Sequence, residues 1–445
     1  MNEISKNDRR EIFGWIMYDW ANSVFLTTVI TVLFSDYITR LAQTAVGENG
    51  VVVDFGDFGA ITAKSLFPIS ISISVFAQVF LLPVLGAIAD YSAKKKRFMA
   101  FFCYTSVAAG ALMFFITGKL YLVGCLLLII ANLSLGASFV FYNAFLNDIA
   151  TEDQRDKVSS RGFAYGYVGA IIMLVFNLAM INYAESIGIT KSFAVRLSFL
   201  LASLWFGGFS LITFARLKTR QPERQIPPDE NFLSLGLKEL GATFKELLKR
   251  RYTSRFLIAY LLYNDGIQTV INASSLFLAQ ELFVNRGLEV DPMFLIGVFL
   301  VAQITGIIGA IAFERISRII GTKRAILISL VIWAAIVIYA YAFLQETWQA
   351  WGMGAAIGFV LGGSQALSRS LFANMIPQGR EAAFFSIYEI SERGTSWIGP
   401  IVFGVVAAAT NSYRQAILAL IFFFIVGSIL LYLTNTDKAI EEANA

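Results

Sequence analysis

Apolar runs of about 20 residues or more, separated by short polar stretches, recur from one end of the chain to the other. Twelve stand out, at 12–41, 65–89, 97–117, 120–148, 161–183, 192–216, 253–283, 292–313, 322–343, 347–376, 381–409 and 413–434. At 1.5 Å per residue, a helix of that length crosses the roughly 30 Å hydrocarbon core of a bilayer. The pattern predicts an all-α polytopic membrane protein with 12 transmembrane helices. The longest polar interruption splits them six and six, into an N-terminal half (1–216), a linker (217–252) and a C-terminal half (253–445). The linker opens with a polar stretch from Gln221-Pro222 to Pro227-Pro228. Beyond it Leu233, Leu237, Leu240, Phe244 and Leu247 recur at helical spacing, opposed by Lys238, Glu239, Lys245, Glu246 and Lys249. That spacing predicts an amphipathic helix lying along the membrane surface. The acidic, Gly-containing stretch 42–63 carries no repeat and reads as a loop.

Charge orients these helices. Of 35 Lys and Arg residues, 26 fall in the N-terminus, Lys94-Lys95-Lys96-Arg97, Arg155 to Arg161, Arg216 to Arg255, Arg315 to Arg324, Arg380 and Lys438. Seven fall between the other helix ends: Arg40, Lys64, Lys119, Lys191, Arg196, Arg286 and Arg414. The positive-inside rule then predicts both termini in the cytosol, as an even number of helices requires. The polar N-terminus precedes an apolar segment too long for a signal-peptide core, which is expected to stay as the first membrane helix.

Composition narrows the chemistry. With 57% hydrophobic and 15% charged residues and a mean hydropathy of +0.66, the chain is not a soluble domain. Cys103 and Cys125 both sit inside apolar runs, which excludes a disulfide framework and argues against zinc. There is no histidine, so any proton relay must run through Asp and Glu. No nucleophile–base or metal constellation has the spacing an enzyme needs, and no Gly-x-x-x-x-Gly-Lys-Ser/Thr loop is present for ATP. No cofactor, metal or nucleic-acid partner is expected.

Ionisable residues inside the apolar runs mark the site. A charge near the bilayer centre costs about 3 kcal/mol on insertion scales, so it faces a partner or a water-filled path. Gln365, Ser368 and Arg369 fall at i, i+3, i+4 in one helix, and Glu389, Glu392, Arg393 and Ser396 at i, i+3, i+4, i+7 in the next. Arg369, Glu389 and Asp19 each lie about 10 Å inside the cytosolic helix ends, which predicts a charge network at one level. The plainer alternative is that they snorkel or pair structurally. Asp265 lies about 18 Å into its helix, near the midplane, beside Asn264, Gln268 and Asn272. It is expected as a protonatable coupling group or a ligand for a substrate ammonium, the alternative being a structural pair with Arg369. Asn132, Asn143 and Asn147 offer neutral amides for substrate or for interhelical bonds. Pro83 and Gly399-Pro400 mark places where helices are expected to bend.

Internal similarity supports a duplicated unit. Leu135-Gly136-Ala137-Ser138 aligns with Leu361-Gly362-Gly363-Ser364, Leu85-Gly86-Ala87-Ile88-Ala89-Asp90 with Ile308-Gly309-Ala310-Ile311-Ala312-Phe313, and Tyr18-Asp19-Trp20 with Tyr263-Asn264-Asp265. Arg369 then aligns with Asn143. Gly86 to Asp90, followed by Lys94 to Arg97, resembles the loop motif of the major facilitator superfamily, with Tyr91 and Ala93 departing from it. The resemblance implies a latch, in which the carboxylate meets the N-terminus of a helix such as the one starting at Arg380.

Three stretches together resemble one branch of that superfamily: Tyr18-Asp19-Trp20-Ala21-Asn22-Ser23, Tyr263-Asn264-Asp265-Gly266-Ile267-Gln268-Thr269, and Gly362-Gly363-Ser364-Gln365-Ala366-Leu367-Ser368-Arg369-Ser370-Leu371-Phe372 through Pro377. It is the unknown-major-facilitator branch, related to the fungal autophagy-associated vacuolar amino-acid effluxers. The resemblance implies the major facilitator fold, alternating access and amino-acid export, in a monomer of the bacterial inner membrane. The expected substrate site comprises Tyr18, Asp19, Asn22, Asn143, Tyr263, Asp265, Gln268, Gln365 and Arg369. Asp265, Glu389, Glu392 and Arg393 are expected to couple transport to protons, and Gly86, Asp90, Arg97 and Pro400 to gate it. A lipid translocator on the same fold, and a solute sensor without net flux, remain open at this point.

Overall fold

The computed structural model describes residues 6–47, 50–54, 60–91, 94–220, 232–394 and 398–444. The first six long helices are α1 (Arg9–Val46), α2 (Leu66–Asp90), α3 (Lys95–Phe115), α4 (Tyr121–Ile149), α5 (Glu152–Asn182) and α6 (Lys191–Arg216). A shorter helix, α7 (Phe232–Lys249), follows. Then come α8 (Arg251–Leu282), α9 (Pro292–Ile320), α10 (Thr322–Ala342) and α11 (Thr347–Asn374). The chain ends with α12 (Glu381–Glu389), α13 (Ile398–Thr410), α14 (Tyr413–Leu433) and α15 (Thr436–Asn444). Among the described residues, ten helices are long and apolar enough to cross a membrane.

Three local features depart from the sequence pattern. In α1, Leu26–Leu33 is π-helical, and the Thr31 hydroxyl donates to the Leu26 carbonyl five residues back. Such bulges interrupt helices at functional sites more often than elsewhere. The 42–63 stretch contains a short antiparallel pair, β1 (Val51–Asp54) and β2 (Ala60–Thr62), built on β-branched residues. The run 381–409 is not regular α-helix throughout: α12 gives way to a π-helical turn, Ile390–Gly394, so regular helical spacing stops at Glu389. Pro400 is the third described residue of α13, and 395–397 before it lie outside the described residues. In the linker, Leu247 is buried while Phe244 is 55% exposed; the side chains of Leu233, Leu237 and Leu240 lie outside the described set, as does the 221–231 stretch.

In the first six helices, α1 packs on α5 and α6, and α4 on α2 and α3. In the later group, α8 packs on α14, and α11 on α9 and α10. Glycines set the α9–α11 spacing: a Cβ at Gly358 would stand 1.9 Å from the Ala302 carbonyl oxygen, and one at Gly362 2.3 Å from that of Gly306. Lipid supplies no hydrophobic drive between helices, so this close backbone approach is the attraction. The two groups meet where α5 lies against α9 and α11, and where α12 lies against α2 and α4.

Candidate functional site

The site is built on Asp19 of α1. Asn22 donates to the Tyr18 carbonyl at 2.6 Å, and the Tyr18 hydroxyl donates to Ser138 of α4 at 2.8 Å, fixing this part of α1. Trp15 donates to the Tyr142 carbonyl and stacks on that ring with centroids 4.4 Å apart. Arg369 of α11 reaches into this frame. Its Nη2 meets Asp19 Oδ2 at 3.3 Å and the Ser159 carbonyl at 3.0 Å, while Nε donates to the Ser159 hydroxyl at 2.9 Å. The guanidinium lies over Phe163 (4.4 Å), Trp15 (4.8 Å) and Tyr142 (5.6 Å). Gly162 makes room, since a Cβ there would stand 2.3 Å from Asp19 Oδ2. Arg369 is 3% exposed, and its Nη1 has no protein partner among the described residues. It is a buried charge with one side held and one side offered.

A cavity of about 410 Å³ lies directly against this pair. Asp19, Asn143, Arg369, Tyr388, Glu389 and Glu392 line its polar end, with Asn22, Gln268 and Gln365 beside them. Asn143 donates to Glu389 Oε1 at 2.6 Å. Thus the two aligned positions, Asn143 and Arg369, both reach from one group of helices to the other. Farther along, the walls carry Thr31, Ile71, Asn272 and Phe299. α1 starts at the end of the bundle holding the termini, where Asn7 bonds to Ile149, so Thr31 stands about 18 Å farther from that end than Asp19. The cavity therefore extends away from the termini.

Toward the termini the bundle is tied shut. Asp90, ending α2, accepts from the N–H groups of Ala382 and Ala383 at 2.8 Å each, at the start of α12. A Cβ at Gly86 would stand 2.4 Å from the Ala382 carbonyl oxygen. Asn147 donates to Ala373 O, and Arg155 to Ala373 O and Asn374. Asp156 accepts from the hydroxyls of Ser317, Thr322 and Ser370, on or at the starts of three helices. Arg380 reaches α7, bonding Glu239, Thr243 and Glu246, and Tyr91 donates to Glu239 at 2.7 Å.

Not every expected site residue gathers here. Asp265 is fully buried beside the cavity but does not line it; Oδ2 accepts from Gly399 N at 2.8 Å and Oδ1 has no hydrogen-bond partner among the described residues. Arg369, its structural partner in the alternative reading, is bound to Asp19 instead. The Asp265 carboxylate is engaged by a backbone N–H of α13. Tyr18 and Tyr263 stand behind the wall, Tyr263 sharing a 2.6 Å hydrogen bond with Ser368. Arg97 is exposed on the outer face of α3 and does not touch the Asp90 contact, so the expected gating role loses its geometry. The Arg393 side chain and Ser396 lie outside the described residues. Trp15, Ser159, Gly162 and Phe163, which hold the guanidinium, escaped notice because apolar and small residues look alike in every membrane helix.

Comparison with known proteins agrees with this architecture. Residues 7–444 match the family described as vacuole effluxer Atg22 like. An MFS-type transporter of Bacillus subtilis, YxiO, is 31% identical over 96% of this chain and 96% of its own length. Autophagy-related protein 22-1 of Phaeosphaeria nodorum is 24% identical over 100% of this chain and 93% of its own. Among solved structures, the major facilitator transporter FucP in the outward conformation superposes with a TM-score of 0.68 at 14% identity, over 96% of this chain and all of FucP. A bacterial homologue of the iron transporter ferroportin, outward-facing, gives 0.66 at 12% identity, over 96% and 99%. The chain is an integral membrane transporter and not an enzyme: it belongs to the Atg22-like family of the major facilitator superfamily.

Proposed function

We propose that the protein is a secondary transporter that moves a small zwitterionic solute, an amino acid, by alternating access and couples that movement to protons. Two six-helix halves, 1–216 and 253–445, completing 12 membrane crossings, rock about the cavity, with both termini in the cytosol. The observation that carries this reading is the cavity ending on the buried Asp19–Arg369 pair, tied shut toward the termini. The Nη1 donors of Arg369 suit a solute carboxylate, and Glu389 and Glu392 on the same cavity suit an ammonium or a proton. Of the expected coupling residues, Glu389 and Glu392 line the cavity and Asp265 does not, so coupling is assigned to the two glutamates.

Counterflow and pH-gradient-driven uptake of a labelled amino-acid panel in proteoliposomes test this. Wild type is expected to accumulate label only with the gradient. Glu389→Gln is expected to keep counterflow and lose the gradient response, whereas Asp265→Asn, whose amide oxygen still accepts from Gly399, keeps both. Absence of flux with every amino acid rejects the substrate class; a gradient response surviving in Glu389→Gln rejects that residue as the coupling group.

A further inference from the structure

The four consecutive cations that open α3 are not equivalent. Lys95 pairs with Asp148 at 3.0 Å, and Lys96 donates to the Leu217 carbonyl at 2.8 Å. Arg97 is exposed, with no hydrogen bond or ion pair to any described residue. It stands at one end of a groove of about 720 Å³ on the outer face of α3 and α4. The groove is walled by Phe101, Tyr104, Leu112, Leu127 and Ile130, and Ala108 leaves it open. Its other polar atoms are occupied: the Tyr104 hydroxyl donates to Gly207 O and the Thr105 hydroxyl to Phe101 O. The trough therefore offers apolar surface along its length and one unpaired cation at its end.

Dimensions and charge select the occupant. From Arg97 to Leu112 the helix rises about 22 Å, more than the roughly 15 Å depth of one leaflet's hydrocarbon. Arg97 is the third residue of α3, so it stands at the helix end, at headgroup level. An unpaired guanidinium there is matched to phosphate, which it binds through paired N–H donors. Basic residues in such positions recognise anionic lipid headgroups. We propose that this groove is a specific site for one anionic phospholipid of the leaflet nearest the termini, its phosphate on Arg97 and one acyl chain along α3. The site is separate from the solute cavity and stands whether or not the proposed substrate is correct.

Native mass spectrometry of the delipidated full-length protein tests it, titrating phosphatidylglycerol against phosphatidylcholine of identical chains. Wild type is expected to retain one phosphatidylglycerol with about fivefold preference, the factor corresponding to roughly 1 kcal/mol for one basic residue at an anionic surface. Arg97→Gln should abolish the preference and Arg97→Lys restore part of it. Ala108→Trp, filling an exposed position of the trough, should lower retention of both lipids, while Lys119→Gln removes a charge at the other helix end without effect. Melting temperature and elution volume identify variants that fold, and only those are scored. Equal retention of the two lipids by wild type, or an unchanged preference in folded Arg97→Gln, overturns the proposal.

Discussion

Arg369 shows how a charge is made tolerable inside a bilayer. An unpaired guanidinium at that depth is costly, and desolvation is offset here by Asp19, two bonds to Ser159 and three aromatic faces. Removing one partner strands the other. Arg369→Met is therefore expected to destabilise the folded protein by about 3 kcal/mol or more, and Asp19→Asn by a comparable amount. The double variant, with neither charge left, should recover part of that loss yet remain inactive in counterflow. Arg369→Lys keeps the charge but loses the forked geometry and the ring contacts, so it should fold better than Arg369→Met while still transporting poorly. Thermal unfolding in detergent, read beside counterflow, separates these outcomes. Additive losses in the double variant would mean that the two charges do not support one another.

At the scale of elements, the decisive feature is how the start of α12 is satisfied. Its first free N–H groups need an acceptor, and Asp90 from α2 supplies both oxygens. A hydrogen bond to a charged group is worth about 1.5 kcal/mol or more, and each 1.4 kcal/mol is a factor of ten. Asp90→Ala should therefore raise the open population of this end at least about tenfold. A cysteine placed at Ala373, which is 1% exposed and whose carbonyl is held by Asn147 and Arg155 at the same end of the bundle, reports it as faster labelling by an impermeant maleimide added from the terminal side. Unchanged labelling would make Asp90 a helix cap without a gating role.

This contact was legible through the resemblance of Gly86 to Asp90 to the major facilitator loop motif, which implies a latch against a helix such as the one starting at Arg380. The pairing of Arg369 was not. Depth alone put Arg369, Asp19 and Glu389 at one level, but which carboxylate it meets depends on how α1 and α11 face each other. Asp265 does not line the cavity its polar neighbours pointed to. Which backbone N–H its carboxylate meets depends on how α8 and α13 face each other, and spacing along one helix does not carry that. The ten helices long and apolar enough to cross a membrane, by contrast, follow from length and composition, the quantities a bilayer reads most directly.

Over the whole molecule, the ties described above all lie between the level of Arg369 and the termini, whereas the cavity runs the other way. A transporter that alternates must exchange these conditions: opening one end has to close the other. The same two reporters decide whether it does. Asn272 is exposed on the cavity wall away from the termini, so a cysteine there should label readily from that side in an otherwise native background. In Asp90→Ala, faster labelling at Ala373→Cys should be accompanied by slower labelling at Asn272→Cys, because both report one equilibrium between two rigid arrangements. A ligand that favours one arrangement should move the two rates in opposite directions, and by related factors, since it acts only through its differential affinity. If both sites instead label faster together, the substitution has merely loosened the bundle. The ties would then be structural seals between helices, with no part in exchanging access across the membrane.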